Sequence, residues 1–185
     1  MTTPMTFGIV GAGLIGQSWA ALCLAFGHRV IAVDPREEAA GDLAAFSASA
    51  WPHLRALGFT TAEEPPAALV SRDVGSLGGV DVVLECGPER IEVKRDLVAA
   101  LEEVIAADTV IASSTSSLMA SDIQSEARHP GRILVGHPMN PPHLVPMVEL
   151  VAGRLTAPET VDRAEAVFRD LGRVPIRVRK EVPGH

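Results

Sequence analysis

The feature that most constrains the fold of this chain is a glycine-rich loop near its start. Residues 11–16 read GAGLIG and directly follow the apolar run Phe7–Val10. From Leu14 to Phe26 the chain is apolar and contains no Pro and only one Gly, which is typical of a buried helix. A strand, a tight glycine turn and a helix in immediate succession predict the first unit of a parallel α/β sheet.

Each glycine of the loop has a separate task if the loop binds a dinucleotide. Gly11 allows the tight turn, Gly13 lets a pyrophosphate approach the backbone, and Gly16 lets the helix pack on the strand. The helix N-terminus offers free N–H groups and a partial positive charge to the phosphates. The alternative is that the glycines serve only a tight turn. The predicted dinucleotide-binding residues of the loop are Gly11, Ala12, Gly13, Leu14, Ile15 and Gly16.

An acidic residue follows the loop at the spacing that dinucleotide binding requires. Asp34 ends the second predicted strand, and the expected acid lies about 20 residues after the glycines. A carboxylate there accepts hydrogen bonds from ribose hydroxyls and repels a 2′-phosphate, so we expect NAD rather than NADP as the cofactor. Arg36 lies close enough to weaken this selectivity, because a guanidinium attracts phosphate.

Short apolar runs alternate with helical stretches along the rest of the chain. The predicted strands are Phe7–Val10, Arg29–Val33, Val80–Leu84, Thr109–Ala112, Ile133–Val135 and Val174–Val178. The predicted helices are Leu14–Phe26, a long Ala-rich region ending near Leu57, a short segment between Pro66 and Gly75, Ile91–Ile105, Leu118–Ala127 and Thr160–Leu171. This alternation predicts a Rossmann-type, doubly wound and mostly parallel sheet with helices on both faces.

Composition excludes several classes of function. The 16 Lys and Arg against 23 Asp and Glu give a net charge of −7, which disfavours nucleic acids and anionic membranes as partners. No apolar run approaches the roughly 20 residues of a membrane helix, and no basic leader precedes the first strand. The 2 Cys cannot form a disulfide framework or a four-cysteine zinc site, so we expect no metal and a cytoplasmic location. The absence of Tyr rules out the Tyr/Lys mechanism of short-chain dehydrogenases.

Three further segments of the chain are distinctive. They are Glu85–Lys94 (ECGPERIEVK), Ser113–Leu118 (SSTSSL) and Gly136–Pro142 (GHPMNPP), the last followed by Val148–Leu150. With these segments and the glycine loop, the chain resembles the NAD-binding domain of the 3-hydroxyacyl-CoA dehydrogenase family over nearly its whole length. Within that family, the His-Pro-Met-Asn-Pro-Pro sequence is more similar to the branch that holds lambda-crystallin (L-gulonate 3-dehydrogenase) and L-carnitine dehydrogenase.

The resemblance implies roles for individual residues. His137 and Glu149 match a catalytic dyad, in which the imidazole takes the substrate's hydroxyl proton and the carboxylate stabilises the imidazolium. Ser116 and Asn140 match residues that bind the substrate oxygen and the nicotinamide end of the cofactor. Both are therefore predicted to be catalytic residues and cofactor-binding residues. Glu89 and Lys94 match positions near the nicotinamide ribose; the alternatives are a helix-start acid for Glu89 and a solvated surface cation for Lys94.

The remaining candidates have structural interpretations. His143 is predicted to be structural or at the rim of the pocket, whereas His28, His53 and His129 are predicted to be surface residues. The two cysteines are predicted to be small buried apolar residues, and the serines flanking Ser116 to form a polar turn at a helix start.

The function that follows is NAD-dependent oxidation of an L-3-hydroxy group to the 3-keto form, or the reverse. The substrate is expected to be of the L-3-hydroxyacyl-CoA type, and the alternative is the same chemistry on L-carnitine or L-gulonate. Lys94 and Lys180 are the only lysines, which weakens the acyl-CoA interpretation because CoA phosphates need cations. A non-catalytic dinucleotide-binding or crystallin-like role is the alternative of another class. We expect residues 1–181 to form the dinucleotide-binding domain and 182–185 to begin a linker. The resemblance implies a helical C-terminal domain beyond it, a homodimer of the full-length protein, and a chain that alone binds NAD without turning over substrate.

Overall fold

The glycine loop begins a sheet of eight strands. The structure is a computed structural model and describes residues 3–184. Its strands are β1 (Thr6–Val10), β2 (Arg29–Val33), β3 (Leu69–Ser71), β4 (Val82–Glu85), β5 (Val110–Ser113), β6 (Ile133–Pro138), β7 (Met147–Ala152) and β8 (Val174–Arg177). Their order across the sheet is β3-β2-β1-β4-β5-β6-β7-β8, and the β6–β7 pair is antiparallel while the other pairs are parallel.

Helices connect the strands and cover the sheet. They are α1 (Leu14–Ala25), α2 (Ala39–Ala56), α3 (Ile91–Glu102), α4 (Ala120–Ile123) and α5 (Pro158–Asp170). Short 3₁₀ turns lie at Val74–Leu77, Gln124–Glu126 and Pro130–Arg132. Among the helices of residues 3–184, none combines the length and the apolar character needed to cross a bilayer.

The strands are apolar because both faces of the sheet are buried. On one face, α1, α2 and α5 pack over side chains such as Ile9 and Leu84, with Trp19 and Phe168 at the centre of the cluster. On the other face, α3 and α4 pack over alternate side chains of the same strands, Ile111 among them. The predicted doubly wound α/β fold with helices on both faces is therefore confirmed.

The direction in which strands are added reverses beside β1. From β1 the chain builds outwards through β2 to β3, then returns to place β4 on the opposite side of β1. In open α/β sheets, the carboxyl ends of the strands at such a reversal form the crevice where ligands bind. A ligand site is therefore expected at the loops that follow β1, β4 and β5.

Two strands were missed by sequence reasoning. The segment between Pro66 and Gly75 was expected to contain a short helix, but it contains the three-residue edge strand β3 and a 3₁₀ turn. β7 was missed because a lone antiparallel strand has no helix before it to mark it. Two predicted helices are shorter than expected. α3 ends at Glu102 instead of Ile105, and the predicted helix Leu118–Ala127 consists of the short helix α4 followed by a 3₁₀ turn.

The end of the chain returns towards the carboxyl edge of the sheet. The Glu181 carboxylate accepts hydrogen bonds from the Ser121 N–H at 2.7 Å and from its hydroxyl at 2.5 Å. The Gly184 N–H donates to the Ser117 carbonyl at 3.2 Å. The predicted linker therefore lies against the loop that precedes α4 as far as Gly184. Met1, Thr2 and His185, at the ends of the predicted ranges 1–181 and 182–185, lie outside the described residues.

Candidate active site

The three glycines of the loop are required for different physical reasons. Gly11 has a φ of +91°, and a Cβ there would lie 2.6 Å from the Cys86 carbonyl oxygen. A Cβ on Gly16 would lie 1.9 Å from the Gly11 carbonyl oxygen, so both positions are set by the fold itself. A Cβ on Gly13 would meet nothing within 4 Å. A Gly at this open position, at the start of α1, leaves room for a group that approaches the backbone from outside.

A cavity of about 600 Å³ runs alongside the glycine loop. Its walls are mostly apolar and come from the ends of β1 and β2 and from α3, including Val10, Val33 and Leu97. Asp34, Arg36 and Arg72 supply its charged side chains. A mostly apolar cavity with a carboxylate in its lining is suited to an adenosine group, whose ribose hydroxyls donate hydrogen bonds to a carboxylate.

Asp34 is buried and held in place from both sides. Its Oδ2 accepts the Ala12 N–H at 2.8 Å, and its Oδ1 accepts the Arg36 N–H and Nε, each at 3.0 Å. Burial raises the pKa of Asp34, but the backbone N–H groups of Arg36 and Ala12 and the Arg36 guanidinium outweigh it, so the pKa lies below its usual value. Asp34 therefore carries a fixed negative charge next to the loop.

A second cavity, of about 340 Å³, lies on the other side of the same loop. Cys86 and Gly87 line both cavities, so a ligand can extend from one to the other past the glycine loop. Of the predicted site residues, the second cavity brings together Ile15, Glu89, Lys94, Ser116, His137 and Asn140. Of the other predicted residues, Gly11, Gly13 and Asp34 line the first cavity, whereas Ala12 is buried and Leu14 is 57% exposed.

Glu89 organises the loop that follows β5. Its Oε1 accepts hydroxyl hydrogen bonds from Thr115 at 2.5 Å and Ser117 at 2.9 Å. The N–H groups of Ser116 and Ser117 donate to the same oxygen at 2.9 and 3.0 Å. Burial raises the pKa of Glu89, but these donors and the charge of Lys94 outweigh it, so the pKa lies below its usual value. The carboxylate thus fixes the Ser116 backbone at the edge of the cavity.

Lys94 is part of a buried ion pair. Its Nζ donates to the two carboxylate oxygens of Glu85 at 3.0 and 2.8 Å and to the Gly87 carbonyl at 3.2 Å. Glu85 also accepts the Ser113 hydroxyl at 2.5 Å. The alternative of a solvated surface cation is wrong, since the Lys94 side chain is 1% exposed. Its three N–H donors are used within the protein, while Nζ stays 3.8 Å from Glu89; its predicted contact with the nicotinamide ribose stays a prediction.

His137 and Glu149 face each other across the one antiparallel strand pair. His137 lies in β6 directly opposite Glu149 in β7, and directly paired residues of adjacent strands share a face of the sheet. The His137 Nδ1 lies 2.9 Å from the Glu149 Oε2. Both side chains are about three-quarters buried, with 20% and 26% of their surfaces exposed. The arrangement matches a base whose ring is oriented by a carboxylate.

Sequence reasoning missed several residues of the site. Glu85 and Ser113 are buried, and the Ser113 hydroxyl donates to the carboxylate that pairs with Lys94. Ser114 lines the second cavity, and its hydroxyl accepts the Trp19 indole N–H at 3.2 Å. A run of serines gives no signal for which of them faces a cavity. Cys86 is only partly buried and lines both cavities, whereas Cys23 is buried as expected. Burial raises the pKa of the Cys86 thiol to about 12, so it is protonated at neutral pH.

The remaining histidines are placed as follows. His143 is buried, with Nδ1 2.7 Å from the Ser18 hydroxyl, which supports its structural interpretation. His53 and His129 are exposed as predicted. His28 was expected at the surface, and this is wrong: it is 4% exposed, and its Nδ1 accepts the Met5 N–H. Within residues 3–184, no three His, Cys, Asp or Glu side chains are grouped as a metal site would need.

Comparison with known proteins identifies the family. Residues 6–182 match the family model described as the NAD-binding domain of 3-hydroxyacyl-CoA dehydrogenase. The chain belongs to this family. L-carnitine dehydrogenase of Pseudomonas aeruginosa is 43% identical over 185 residues, which is 100% of this chain and 58% of that protein. The enzyme of that name from Streptomyces griseus is 44% identical over 176 residues, which cover 95% of this chain and 52% of that protein.

Solved structures show the same fold. A dehydrogenase of 5-formyl-3-hydroxy-2-methylpyridine 4-carboxylic acid, described as an NAD⁺-dependent dismutase, superposes with a TM-score of 0.89 at 34% identity, covering 98% of this chain and 60% of that one. (S)-3-hydroxybutyryl-CoA dehydrogenase from Ralstonia eutropha gives 0.89 at 28% identity, covering 98% and 65%. This NAD-binding domain spans little more than half the length of the curated relatives described above.

The residues of the domain fit NAD, the cofactor that the sequence predicts and the family confirms. The open space at Gly13 accommodates a pyrophosphate, and the buried Asp34 carboxylate suits a ribose with two free hydroxyls. The two cavities share Cys86 and Gly87, and His137 lines the second of them.

Proposed function

We propose that the protein is an NAD-dependent dehydrogenase that oxidises the hydroxyl group of an L-3-hydroxy acid derivative to the ketone, and catalyses the reverse. One observation carries this proposal: His137, hydrogen-bonded to Glu149, lines a cavity that shares Cys86 and Gly87 with the cavity beside the glycine loop. A protein that only binds a dinucleotide needs the glycine loop but no base beside the second cavity. The pair therefore also argues against the non-catalytic alternative.

The proton of the substrate hydroxyl passes to His137 in this proposal. With Nδ1 bonded to Glu149, Nε2 is the ring nitrogen that accepts the proton, which makes the imidazole positive. The Glu149 carboxylate stabilises that charge and fixes the tautomer of the neutral ring. NAD, when bound, supplies the hydride acceptor. In the reverse reaction, the imidazolium returns the proton to the carbonyl oxygen.

Ser116 and Asn140 orient the reacting oxygen. Both are exposed side chains that line the second cavity with His137. A hydroxyl and an amide can each donate a hydrogen bond without carrying charge, so they bind the alcohol and the ketone equally well. The Ser116 N–H donates to the Glu89 Oε1 at 2.9 Å and its hydroxyl donates to the same oxygen at 3.4 Å, so Glu89 positions this side chain.

The substrate we favour is L-carnitine. The two curated relatives compared above are L-carnitine dehydrogenases at 43% and 44% identity, whereas the 3-hydroxybutyryl-CoA dehydrogenase is 28% identical. Of the two lysines, Lys94 is buried in an ion pair, so it cannot bind CoA phosphates at the surface. The fold likeness to 3-hydroxybutyryl-CoA dehydrogenase supports an acyl-CoA as the second candidate, and L-gulonate stays a prediction.

The test measures NAD binding and turnover separately. Calorimetry with NAD addresses the cleft, and formation of NADH by the full-length protein addresses the chemistry, with L-carnitine, (S)-3-hydroxybutyryl-CoA and L-gulonate as parallel substrates. D-carnitine is the stereochemical control. We expect NADH only with L-3-hydroxy substrates and most with L-carnitine. NAD binding without turnover of any of the three substrates would contradict the proposal.

Three expectations extend the proposal beyond the site. We propose that the full-length protein is a cytoplasmic homodimer, with residues 1–181 as its dinucleotide-binding domain and 182–185 leading away from it. The last point stays a prediction, since the Gly184 N–H still donates to the Ser117 carbonyl of the domain at 3.2 Å. Size-exclusion chromatography with light scattering tests the dimer.

A further inference from the structure

Arg36 lies where cofactor choice is made. It lines the adenosine cavity together with Asp34, and its Nε donates to the Asp34 Oδ1 at 3.0 Å. A ribose 2′-hydroxyl that donates to the Asp34 carboxylate would therefore share this carboxylate with Arg36. The guanidinium and the ribose 2′-oxygen would then be separated by no more than two hydrogen bonds, about 5–6 Å.

The guanidinium is held by more negative charge than it can neutralise. Besides Asp34, its Nη1 donates to the Asp42 Oδ2 at 3.0 Å and lies 3.6 Å from the Glu38 Oε1. Its Nη2 donates to the Ala12 carbonyl at 3.0 Å. Three carboxylates around one cation leave the corner of the cavity negative. Arg36 is thus prevented from turning its N–H donors to an incoming phosphate, although this is the group its planar fork of donors suits best.

We propose that Arg36 is a second determinant of cofactor choice, a phosphate-binding side chain kept on Asp34 and Asp42 so that the cleft accepts a ribose hydroxyl and rejects a 2′-phosphate. This inference rests on the proposed use of a dinucleotide. It goes further, because it assigns the rejection of NADP to Asp34, Arg36 and Asp42 together instead of to Asp34 alone. When the Asp34 charge is removed, Arg36 loses its carboxylate partner inside the cavity and its Nε becomes a donor for the 2′-phosphate.

One competing source of positive charge lies in the same cavity. Arg72 follows β3, is exposed, and has no ion-pair partner within 4.0 Å among residues 3–184. A 2′-phosphate admitted by the loss of the Asp34 charge could be bound by Arg72 as readily as by Arg36. Arg72→Gln is therefore the matched control for Arg36→Gln.

The test is a set of calorimetric affinities for NAD and NADP. We expect Asp34→Asn to bind NADP roughly ten- to hundredfold more tightly than the unmodified protein, the size of one hydrogen bond to a charged group. Asp34→Asn/Arg36→Gln should lose this gain, and Asp34→Asn/Arg72→Gln should keep it. A gain that survives Arg36→Gln, or that disappears with Arg72→Gln, overturns the proposal.

Asp42→Asn provides a second route that leaves the buried acid in place. The Asp42 side chain is 44% exposed and lies in the first turn of α2, so this variant should fold normally. We expect it to raise NADP affinity about threefold, as an exposed charge pair allows, and this gain should be lost when Arg36→Gln is added. Unchanged NADP affinity in both Asp34→Asn and Asp42→Asn refutes the proposal. Failure of the unmodified protein to bind NAD at all is a different result, since it contradicts the proposed function itself.

Discussion

The two ends of the dinucleotide cleft are built in different ways. At the adenosine end, the contacts that fix Asp34 come from Ala12 and Arg36, all within the first two strands and the loops after them. At the reactive end, Glu89, Ser116 and the pair His137–Glu149 come from four separate segments that only the sheet brings together. The first end is a local motif, whereas the second is a product of strand pairing.

The difference teaches which properties should be separable by mutation. Side chains of the adenosine end should control affinity for the cofactor, and side chains of the His137 end should control turnover. Glu85, at the end of β4, and Lys94, on α3, form a buried ion pair that also binds the Gly87 carbonyl. Gly87 lines both cavities, so damage to this pair should affect both ends.

His137→Ala should have the largest effect and should be confined to one end. Without the base, turnover should fall by roughly 10²–10⁴-fold, the usual contribution of a positioned acid–base group. NAD affinity should stay within about twofold, because Asp34 and the glycine loop are untouched. Turnover assays and calorimetry measure the two effects. His129→Ala, at an exposed histidine, is the control. Near-normal turnover in His137→Ala would falsify the assignment of the base.

Lys94→Met should break the comparison by weakening both ends together. The change leaves Glu85 buried without its counter-charge, which costs about 3–5 kcal/mol of the free energy of unfolding. Urea denaturation measures the loss. Adding Glu85→Gln should restore most of it, since no buried charge then remains. Lys180→Met, at the other and exposed lysine, should change stability by less than about 0.5 kcal/mol. A Lys94→Met protein as stable as Lys180→Met would show that the buried pair contributes nothing.

Two glycine substitutions should separate folding from binding at the adenosine end. Gly16→Ala forces a Cβ against the Gly11 carbonyl, and we expect it to lower the free energy of unfolding by about 1–3 kcal/mol. Gly13→Ala meets only open space, so stability should be unchanged while NAD affinity falls. Thermal melts and calorimetry on the two variants test the pair. Equal NAD affinity in Gly13→Ala and the unmodified protein would mean that no phosphate approaches this position.

Glu149→Gln should give the smallest effect and sharpen the account of the reactive end. Gln can still hydrogen-bond to the His137 Nδ1, but it carries no charge to stabilise the imidazolium. The difference between a charged and a neutral hydrogen bond predicts roughly a tenfold fall in turnover. A fall as large as that of His137→Ala would instead assign Glu149 a role beyond charge stabilisation. NAD affinity serves as the internal control.

The sequence alone predicts the adenosine end better than the reactive end. The glycines and Asp34 follow from local chemistry, because a tight turn, a helix start and a strand end lie close together in the chain. The base at His137 followed only from family resemblance, since β7 was not recognised and nothing local indicated that Glu149 would lie opposite it. Glu85 was missed for a related reason: an acid at the end of an apolar strand shows no sign that a lysine on the next helix will neutralise it.

The register of β6 on β7 has a consequence for how errors in folding would show themselves. His137 meets Glu149 only in the observed alignment, since a slip of one residue turns every side chain of the strand to the other face. The adenosine half of the cleft is complete without that alignment. A molecule whose strands had paired one step out would still capture dinucleotide but do no chemistry. The ratio of active sites to bound cofactor in a preparation therefore reports the fraction of molecules in which β6 and β7 are correctly paired.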